Sequence, residues 1–287
     1  MDSKGFKILD EFRYSTAKLT VVKSSGATSY GTGFFFDLKY SDGMHCLLLV
    51  TNKHMADDWQ ELSFRINKGD DQFNPILGDT VQITLENKPS QRWMAHPDVD
   101  LCVFEVWPAI KEVWDSGVKL CYRTLHERLL PDKDTIKFIS SIEEVLMIGY
   151  PDAMADEVNN LPIVRRGITA TDFKVDYNGK KEFLIDASIF KGSSGSPILI
   201  CNIGSYTNPD GHLMLGNRTF FLGVQYRGEF SKYQQNIYVK DAKGNFNNTS
   251  DVLSLNFNDL GFCVKSECLI YFKDEVKNQG WELYRTK

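Results

Sequence analysis

The stretch Asp186-Ala187-Ser188-Ile189-Phe190-Lys191-Gly192-Ser193-Ser194-Gly195-Ser196-Pro197 decides which fold class the rest of the sequence supports. It lies between two apolar runs with the character of β-strands, 183–185 and 198–200. Glycines on either side of the serines let the backbone turn sharply and leave N–H groups without partners. A hydroxyl beside two such donors is what acyl transfer requires, although serine and glycine also dominate ordinary hairpin turns. Alone, the stretch is compatible with either a catalytic turn or an ordinary hairpin turn.

Composition indicates a globular chain with a sizeable core. The 287 residues are 42% hydrophobic and 13% aromatic, enough for one large domain or two small ones. The formal net charge is −5 and there is no long run of lysine or arginine, which argues against nucleic acid as the main partner. No apolar stretch reaches the length of a membrane span, so we expect no membrane partner.

The cysteines indicate a reducing compartment. Four of the six lie in apolar, strand-like runs, as buried free thiols do. Only Cys263 and Cys268 are close in sequence, and no nearby histidines complete a zinc site. We therefore expect free thiols, no metal, no organic cofactor and a cytoplasmic location. The N-terminal residues lack the apolar core of a signal peptide, although a leader already removed would leave the same pattern.

The run Gly192–Pro197 resembles the nucleophile motif of chymotrypsin-like serine proteases, with Ser194 as the nucleophile. Together with Asp186 and Ala187 it is most similar to the bacterial Deg-type branch of trypsin-like peptidases. Ser193 stands where zymogen-activated members carry an aspartate, and Ser196 replaces a second glycine. The resemblance extends over nearly the whole chain, and no appended PDZ domain is expected after residue 265.

Two further motifs resemble the same family. The strand-like run Leu49-Val50-Thr51 leads to His54, and Asp100 directly precedes an alternating apolar strand. Asp98 is a rival acid, but it fits a turn residue after a proline, and His96 beside it is expected in a surface loop. The chain order histidine, aspartate, serine is that of this family, whereas an α/β-hydrolase would place the serine first.

The resemblance implies an all-β fold of two antiparallel six-stranded β-barrels with a C-terminal helix. Residues 1–120 would form the half that carries His54 and Asp100, and residues 121–287 the half that carries Ser194 and the closing helix. Together the halves would make one peptidase domain. Strand-like runs include 17–23, 34–36, 44–51 and 220–228, with loops expected at 152–161 and 229–252 and a helix at 266–277. The strand at 220–228 resembles the family's edge that pairs with the substrate backbone.

The implied activity is a serine endopeptidase that acts on proteins or peptides. His54 would act as the base, Asp100 would be buried and orient it, and the N–H groups of Gly192 and Ser194 would form the oxyanion hole. The implied walls of the specificity pocket are Ser188, Ile189, Tyr226, Gly228 and Gly261. None is charged, so an apolar substrate side chain is expected there. Two alternatives stay open: a catalytically silent protein-binding module, and a protease effector gated by a regulatory protein within a larger assembly.

Overall fold

The computed structural model describes the backbone of residues 7–240 and 246–285, and the side chains of residues 9–229 and 259–285. Within these ranges the chain forms α1 (Lys7–Phe12), α2 (Trp107–Asp115) and α3 (Tyr271–Asn278). The predicted closing helix thus begins as a 3₁₀ turn, Ser266–Ile270, and continues as α3. In the described part of the chain, no helix combines the length and apolar character needed to cross a membrane.

The first half is a nine-stranded sheet. Its strands are β1 (Thr16–Lys23), β2 (Thr28–Lys39), β3 (His45–Thr51), β4 (Trp59–Gly69), β5 (Pro75–Glu86), β6 (Trp93–Ala95), β7 (Cys102–Glu105), β8 (Leu120–Cys121) and β9 (Leu125–His126). Seven follow the order β5-β4-β1-β2-β3-β7-β6, with every neighbouring pair antiparallel. Strand β8 pairs with β4, and β9 runs parallel to β2. This half therefore contains more strands than the six that the resemblance implies.

The second half is a closed barrel of six antiparallel strands. They are β10 (Glu144–Gly149), β11 (Ile163–Thr169), β12 (Glu182–Asp186), β13 (Pro197–Asn202), β16 (Arg218–Lys240) and β17 (Phe246–Lys265). A small hairpin of β14 (Ser205–Thr207) and β15 (Leu213–Leu215) interrupts the polar segment before β16. The all-β, chymotrypsin-like class expected from the sequence is confirmed.

Two local predictions were wrong. Residues 229–240 and 246–252 are not a loop, because β16 and β17 continue past the barrel and pair with each other from Phe230↔Phe257 to Lys240↔Phe246. Residues 241–245 of the predicted loop lie outside the described residues. The family resemblance also implies a short helical turn over residues 55–60, and the structure has a 3₁₀ turn at Lys53–Met55 instead. The remaining 3₁₀ turns are Glu127–Leu129, Ile136–Phe138, Pro151–Ala153 and Tyr177–Gly179.

A shared apolar core joins the two halves. Phe34 and Phe36 of β2 pack against Phe221 of β16, with centroids of the Phe34 and Phe221 rings 5.3 Å apart. Phe272 of α3 belongs to the same buried cluster, so the C-terminal helix closes this contact. Separate apolar clusters fill the first sheet and the interior of the barrel. The core thus holds the end of β3 against the turn between β12 and β13.

Candidate active site

His54 and Asp100 are brought together by strand pairing. His54 follows β3 and Asp100 lies just before β7, and these antiparallel neighbours place Thr51 opposite Cys102. The His54 Nδ1 lies 2.7 Å from Asp100 Oδ2, and the His54 backbone N–H donates to Asp100 Oδ1 at 2.9 Å. A carboxylate accepts only, so Nδ1 carries the proton and Nε2 keeps its lone pair. The imidazole is therefore presented as a base.

Asp100 accepts a hydrogen bond through its backbone carbonyl, and its side chain is partly exposed. Asn52 Nδ2 donates to the Asp100 carbonyl at 2.8 Å, which fixes the loop that carries the carboxylate. The side chains of His54 and Asp100 are 42% and 24% exposed, so the expectation that Asp100 is buried was wrong. The rival Asp98 is exposed, and no hydrogen bond of its carboxylate occurs among the described residues. Asp100 is therefore the acid that orients His54.

Hydrogen bonds from Thr32 of β2 anchor the turn that carries Ser194 to the first sheet. The Thr32 N–H donates to the Ser194 carbonyl at 2.8 Å, and its Oγ1 donates to the Gly192 carbonyl at 2.9 Å. The Thr32 carbonyl in turn accepts from Thr51 Oγ1 at 2.8 Å, at the end of β3. Thr32 thus links the serine turn to the strand that leads to His54.

Gly192 and Gly195 have backbone conformations that other residues rarely adopt. Their φ angles are +80° and +90°. A Cβ at Gly195 would collide with the Thr32 carbonyl, and one at Gly192 would press on the Tyr150 carbonyl. The close seating of the turn on β2 therefore depends on glycine at both positions.

The N–H groups of Gly192 and Ser194 are directed away from the bonds that hold the turn. Ser193 N–H donates to the Phe190 carbonyl at 3.1 Å, and the positive φ at Gly192 gives the pattern of a type II turn. The carbonyls that precede the two N–H groups, on Lys191 and Ser193, accept from Asp152 N–H and Ser196 N–H. In a trans peptide the N–H points opposite to the carbonyl. Among the described residues, neither N–H donates to another group.

The Ser194 hydroxyl donates to the Tyr226 carbonyl at 3.3 Å. Within the part of the chain that the structure describes, no hydrogen bond joins it to His54. Such bonds are often long or absent before substrate binds and tighten in the complex. The three expected catalytic residues are thus present as a bonded pair and a separately anchored serine.

Two of the five expected pocket residues, Gly228 and Gly261, lie against a third, Ile189. Cβ atoms built at Gly228 and Gly261 would lie 2.7 Å from Ile189 Cγ2 and 2.8 Å from Ile189 Cδ1. Gly228 pairs with Gly261 across β16 and β17, and the Ile189 side chain beneath them is 5% exposed. Burial first, and then Glu182, raises the pKa of Tyr226, so its hydroxyl stays uncharged near neutral pH. None of the five residues carries a formal charge; Ile189 supplies a buried apolar side chain, and Ser188 lies exposed next to it.

Several side chains around the site were not expected from the sequence. Thr32 carries no catalytic signal of its own, and only its position between two glycines sets it apart. Arg165 of β11 donates to Ser193 Oγ, where the Ser193 side chain is wholly buried. His96, expected at the surface, is 8% exposed and lies 4.6 Å from the Tyr271 ring.

Two other kinds of reactive site, an activated cysteine and a metal centre, are not found among the described residues. All six cysteines are free, and burial raises the pKa of Cys102, the thiol nearest Asp100 in sequence, well above its usual value. No group of histidine, cysteine and carboxylate side chains with metal-binding geometry occurs among the described residues. The chemistry that the described site can support is therefore that of a serine with an oriented imidazole.

No protein-family model matches the chain, and no curated protein matches it. Solved structures with a similar arrangement include the HtrA-type protease AlgW with a tripeptide (14% identity, TM-score 0.49, 95% of this chain and 63% of AlgW). A serine endoprotease from Yersinia pestis gives 13% identity and a TM-score of 0.48, over 98% of this chain and 69% of that one. The active form of the Rv3671c protease from M. tuberculosis gives 14% identity and a TM-score of 0.44, over 100% and 90%.

This chain thus spans 63% of the length of AlgW. Identities this low do not transfer a function, so the geometry of the site itself must carry it. The three structures named above are HtrA-type and other proteases.

Proposed function

We propose that the protein is a serine endopeptidase in which Ser194, His54 and Asp100 act as a catalytic triad. The observation that carries the proposal is the bonded His54–Asp100 pair, linked through Thr51 and Thr32 to the turn that holds Ser194. A serine hydroxyl is a weak nucleophile at neutral pH and needs a neutral imidazole to take its proton. The Asp100 carboxylate leaves Nε2 as the free basic nitrogen of His54.

Substrate binding would bring the Ser194 hydroxyl to His54 and so complete the triad. The Tyr226 carbonyl now accepts from the Ser194 hydroxyl, and it is also the acceptor that a substrate strand along β16 would use. When a substrate N–H takes this carbonyl, the hydroxyl is released toward His54 Nε2. Ser194 Oγ then attacks the peptide carbonyl, His54 takes the proton, and the same proton passes to the leaving amine. Water repeats the sequence to hydrolyse the acyl-enzyme.

The N–H groups of Gly192 and Ser194 would stabilise the oxyanion. Both lack an acceptor within the described chain, and the Lys191 and Ser193 carbonyls that oppose them are already bonded. Hydrogen-bond donors already fixed in place lower the activation barrier more than donors that must reorient. Loss of one such donor raises the barrier by about 3 kcal/mol. The type II turn at Phe190–Ser193 is therefore part of the catalytic machinery.

The substrate is proposed to be a protein or peptide with an apolar residue before the scissile bond. The Ile189 side chain, which lies against Gly228 and Gly261, offers an apolar contact surface and no counter-ion to a charged side chain. Residues 1–120 and 121–287 would act as the two halves of one peptidase domain, each supplying part of the triad. The free cysteines support a cytoplasmic location, and neither nucleic acid nor a membrane enters the proposed reaction.

One observation favours a second candidate, a catalytically silent protein-binding module. The Ser194 hydroxyl is bonded to Tyr226 and not to His54 among the described residues. A module that kept the groove and lost the reaction would show the same resting contact. A protease held at rest until a regulatory partner binds would show it as well.

The experiment that separates these candidates is hydrolysis of a fluorescently labelled unfolded protein by the full chain. Ser194→Ala or His54→Ala should lower kcat by about 10⁴–10⁶-fold, because the triad acts as a unit. Asp100→Asn should also lower it steeply, while the exposed neighbour Asp98→Asn is the matched control and should not. No hydrolysis by the wild-type chain, alone or with partners, favours the silent module, and full activity of Ser194→Ala refutes the triad.

A further inference from the structure

The edge of β16 next to Ser194 is open on one side. β13 pairs with β16 only up to Pro197↔Val224, and Gln225 makes the last bonds to the serine turn, with Gly195 and Ser196. Beyond that point β16 continues to pair with β17 on its other side, through Arg227↔Phe262 and Gly228↔Gly261. An extended peptide can therefore add to this edge as a further antiparallel strand.

Strand geometry assigns the substrate residues to two faces. A peptide whose residue before the scissile bond (P1) donates its N–H to the Tyr226 carbonyl has its third residue upstream (P3) opposite Gly228. The second residue upstream (P2) then lies opposite Arg227 as a non-hydrogen-bonded pair, with the two Cβ atoms about 4.5–5.5 Å apart. Gly228 faces Ile189 in the barrel, so Arg227 faces the opposite, outer side. P1 therefore meets an apolar pocket while P2 meets Arg227.

Among the described residues, Arg227 is a cation without a carboxylate partner. Its guanidinium carbon lies 4.0 Å from the centre of the Phe262 ring, on the residue directly across from it in β17. The side chain is exposed, and among the described residues no acidic group forms an ion pair with it. Stacking on Phe262 fixes the guanidinium plane while leaving its N–H donors available. A fixed, unpaired guanidinium beside the P2 side chain is suited to a carboxylate.

We infer that Arg227 is a specificity-determining residue that selects aspartate or glutamate at P2. The inference rests on the proposed peptidase function and deepens it, since it defines the preferred substrate as an acidic residue followed by an apolar one. Lys191, three residues before Ser194, is exposed as well and adds a second positive charge to the turn that carries Ser194. The preferred substrates are therefore acidic segments of proteins.

The test uses three peptides that differ only at P2, with glutamate, glutamine or lysine, and share an apolar P1. The wild-type chain should cleave the glutamate peptide with a kcat/KM about tenfold or more above the lysine peptide, as expected for one charge-assisted hydrogen bond. Arg227→Glu should reverse the order, and Arg227→Gln should bring the three peptides within about threefold of one another. Arg166→Glu makes the same change in net charge at an exposed site on β11 and should keep the wild-type order.

The outcomes separate this inference from the proposed function. If the wild-type chain cleaves all three peptides equally well, or prefers lysine, Arg227 does not select P2 while the peptidase activity stands. An order that Arg227→Glu leaves unchanged also overturns the inference. If none of the peptides, nor an unfolded protein, is cleaved under any condition, the proposed function itself fails.

Discussion

The Arg165 guanidinium donates to the buried Ser193 hydroxyl, with Arg165 Nη2 3.0 Å from Ser193 Oγ. Its other terminal nitrogen, Nη1, donates to the Ser188 carbonyl at 2.6 Å. The same hydroxyl accepts the Phe190 N–H at 3.3 Å. One side chain of β11 therefore spans the segment from the pocket rim to the residue before Ser194.

This contact bears on how the turn is kept in order. Ser193 has no carboxylate to pair with a new N-terminus, so activation by terminal cleavage has no physical basis at this position. Arg165 supplies a contact from within the chain instead. The loop at 152–161 is docked on the first sheet, where Glu157 bonds Lys18 and Arg65 at 2.6 Å each. We expect an ordered turn in the uncut protein.

Replacing Arg165 by methionine should reduce catalysis more than stability. Burial lowers the pKa of Arg165 to about 10, which means that its charge is costly to hold in the folded protein. Removing it relieves that cost but frees the turn, so kcat should fall about ten- to hundredfold through misplaced donors. Steady-state kinetics measures the change in kcat, and urea unfolding measures the change in stability.

Arg166→Met is the control for this change, because Arg166 is exposed and its only ion pair among the described residues is with Glu144 at the surface. It should leave kcat within about twofold, as surface ion pairs contribute little. Full activity of Arg165→Met would show that the turn holds its shape without the guanidinium.

Thr32→Val should weaken both the fold and the reaction. The substitution keeps the shape but removes the hydroxyl that donates to the Gly192 carbonyl and accepts the Tyr150 N–H at 3.1 Å. Leaving these buried groups unsatisfied costs about 1–3 kcal/mol of unfolding free energy. Thr28→Val, at an exposed position of the same strand, should change neither quantity. Equal unfolding free energies for the two variants would contradict the linking role of Thr32.

The specificity pocket should favour an apolar P1 residue. Ile189 packs beneath Gly228 and Gly261, so aliphatic side chains fit first and Ile189→Ala should shift the profile toward larger aromatic ones. A peptide library digested by the wild-type and variant chains measures both profiles by mass spectrometry. A profile dominated by lysine or arginine at P1 would be incompatible with this pocket.

Acid should loosen the segment that carries Asp100. Burial lowers the pKa of His96, whose Nδ1 accepts the N–H groups of Asp98 and Val99 at 3.1 and 3.3 Å. Its folded pKa lies below its unfolded value of about 6.5, so the unfolded chain binds more protons and stability falls as the pH drops below that value. The Tm should decline between about pH 7 and pH 5.

His96→Asn should flatten that decline, whereas His212→Asn, which alters an exposed histidine, should not. Activity should decline over the same pH range as the Tm, because Asp98 and Val99 directly precede Asp100. A pH profile of the Tm that is identical in wild-type and His96→Asn chains would remove His96 from this account.

Much of the fold could be predicted because its signals are local. Alternating apolar residues mark β1, continuous apolar runs mark β3 and β7, and the catalytic candidates stand at strand ends or in glycine turns. The ribbon beyond residue 229 was missed because its asparagine-rich sequence resembles a loop, and its strands exist by pairing with each other. Two-residue strands such as β8 depend on a distant partner and leave no pattern of their own.

The site was predictable where chemistry and sequence position coincide, as at His54, and not where contacts are long-range. Arg165 lies 28 positions from Ser193, and a pair of arginines in a strand resembles an ordinary solvated surface. His96 was missed because the aromatic rings beside it, Tyr271 and Phe272, belong to α3, far along the chain.

The most direct test of the central claim is the intact mass of the full, uncut chain after treatment with a fluorophosphonate. These reagents react with a serine only when a base and an oxyanion hole activate it. We predict a single adduct that maps to Ser194 in the wild-type chain and none in Ser194→Ala or His54→Ala. An unmodified wild-type chain that is folded, or an adduct on another serine such as Ser193, would contradict the assignment of Ser194 as an activated nucleophile.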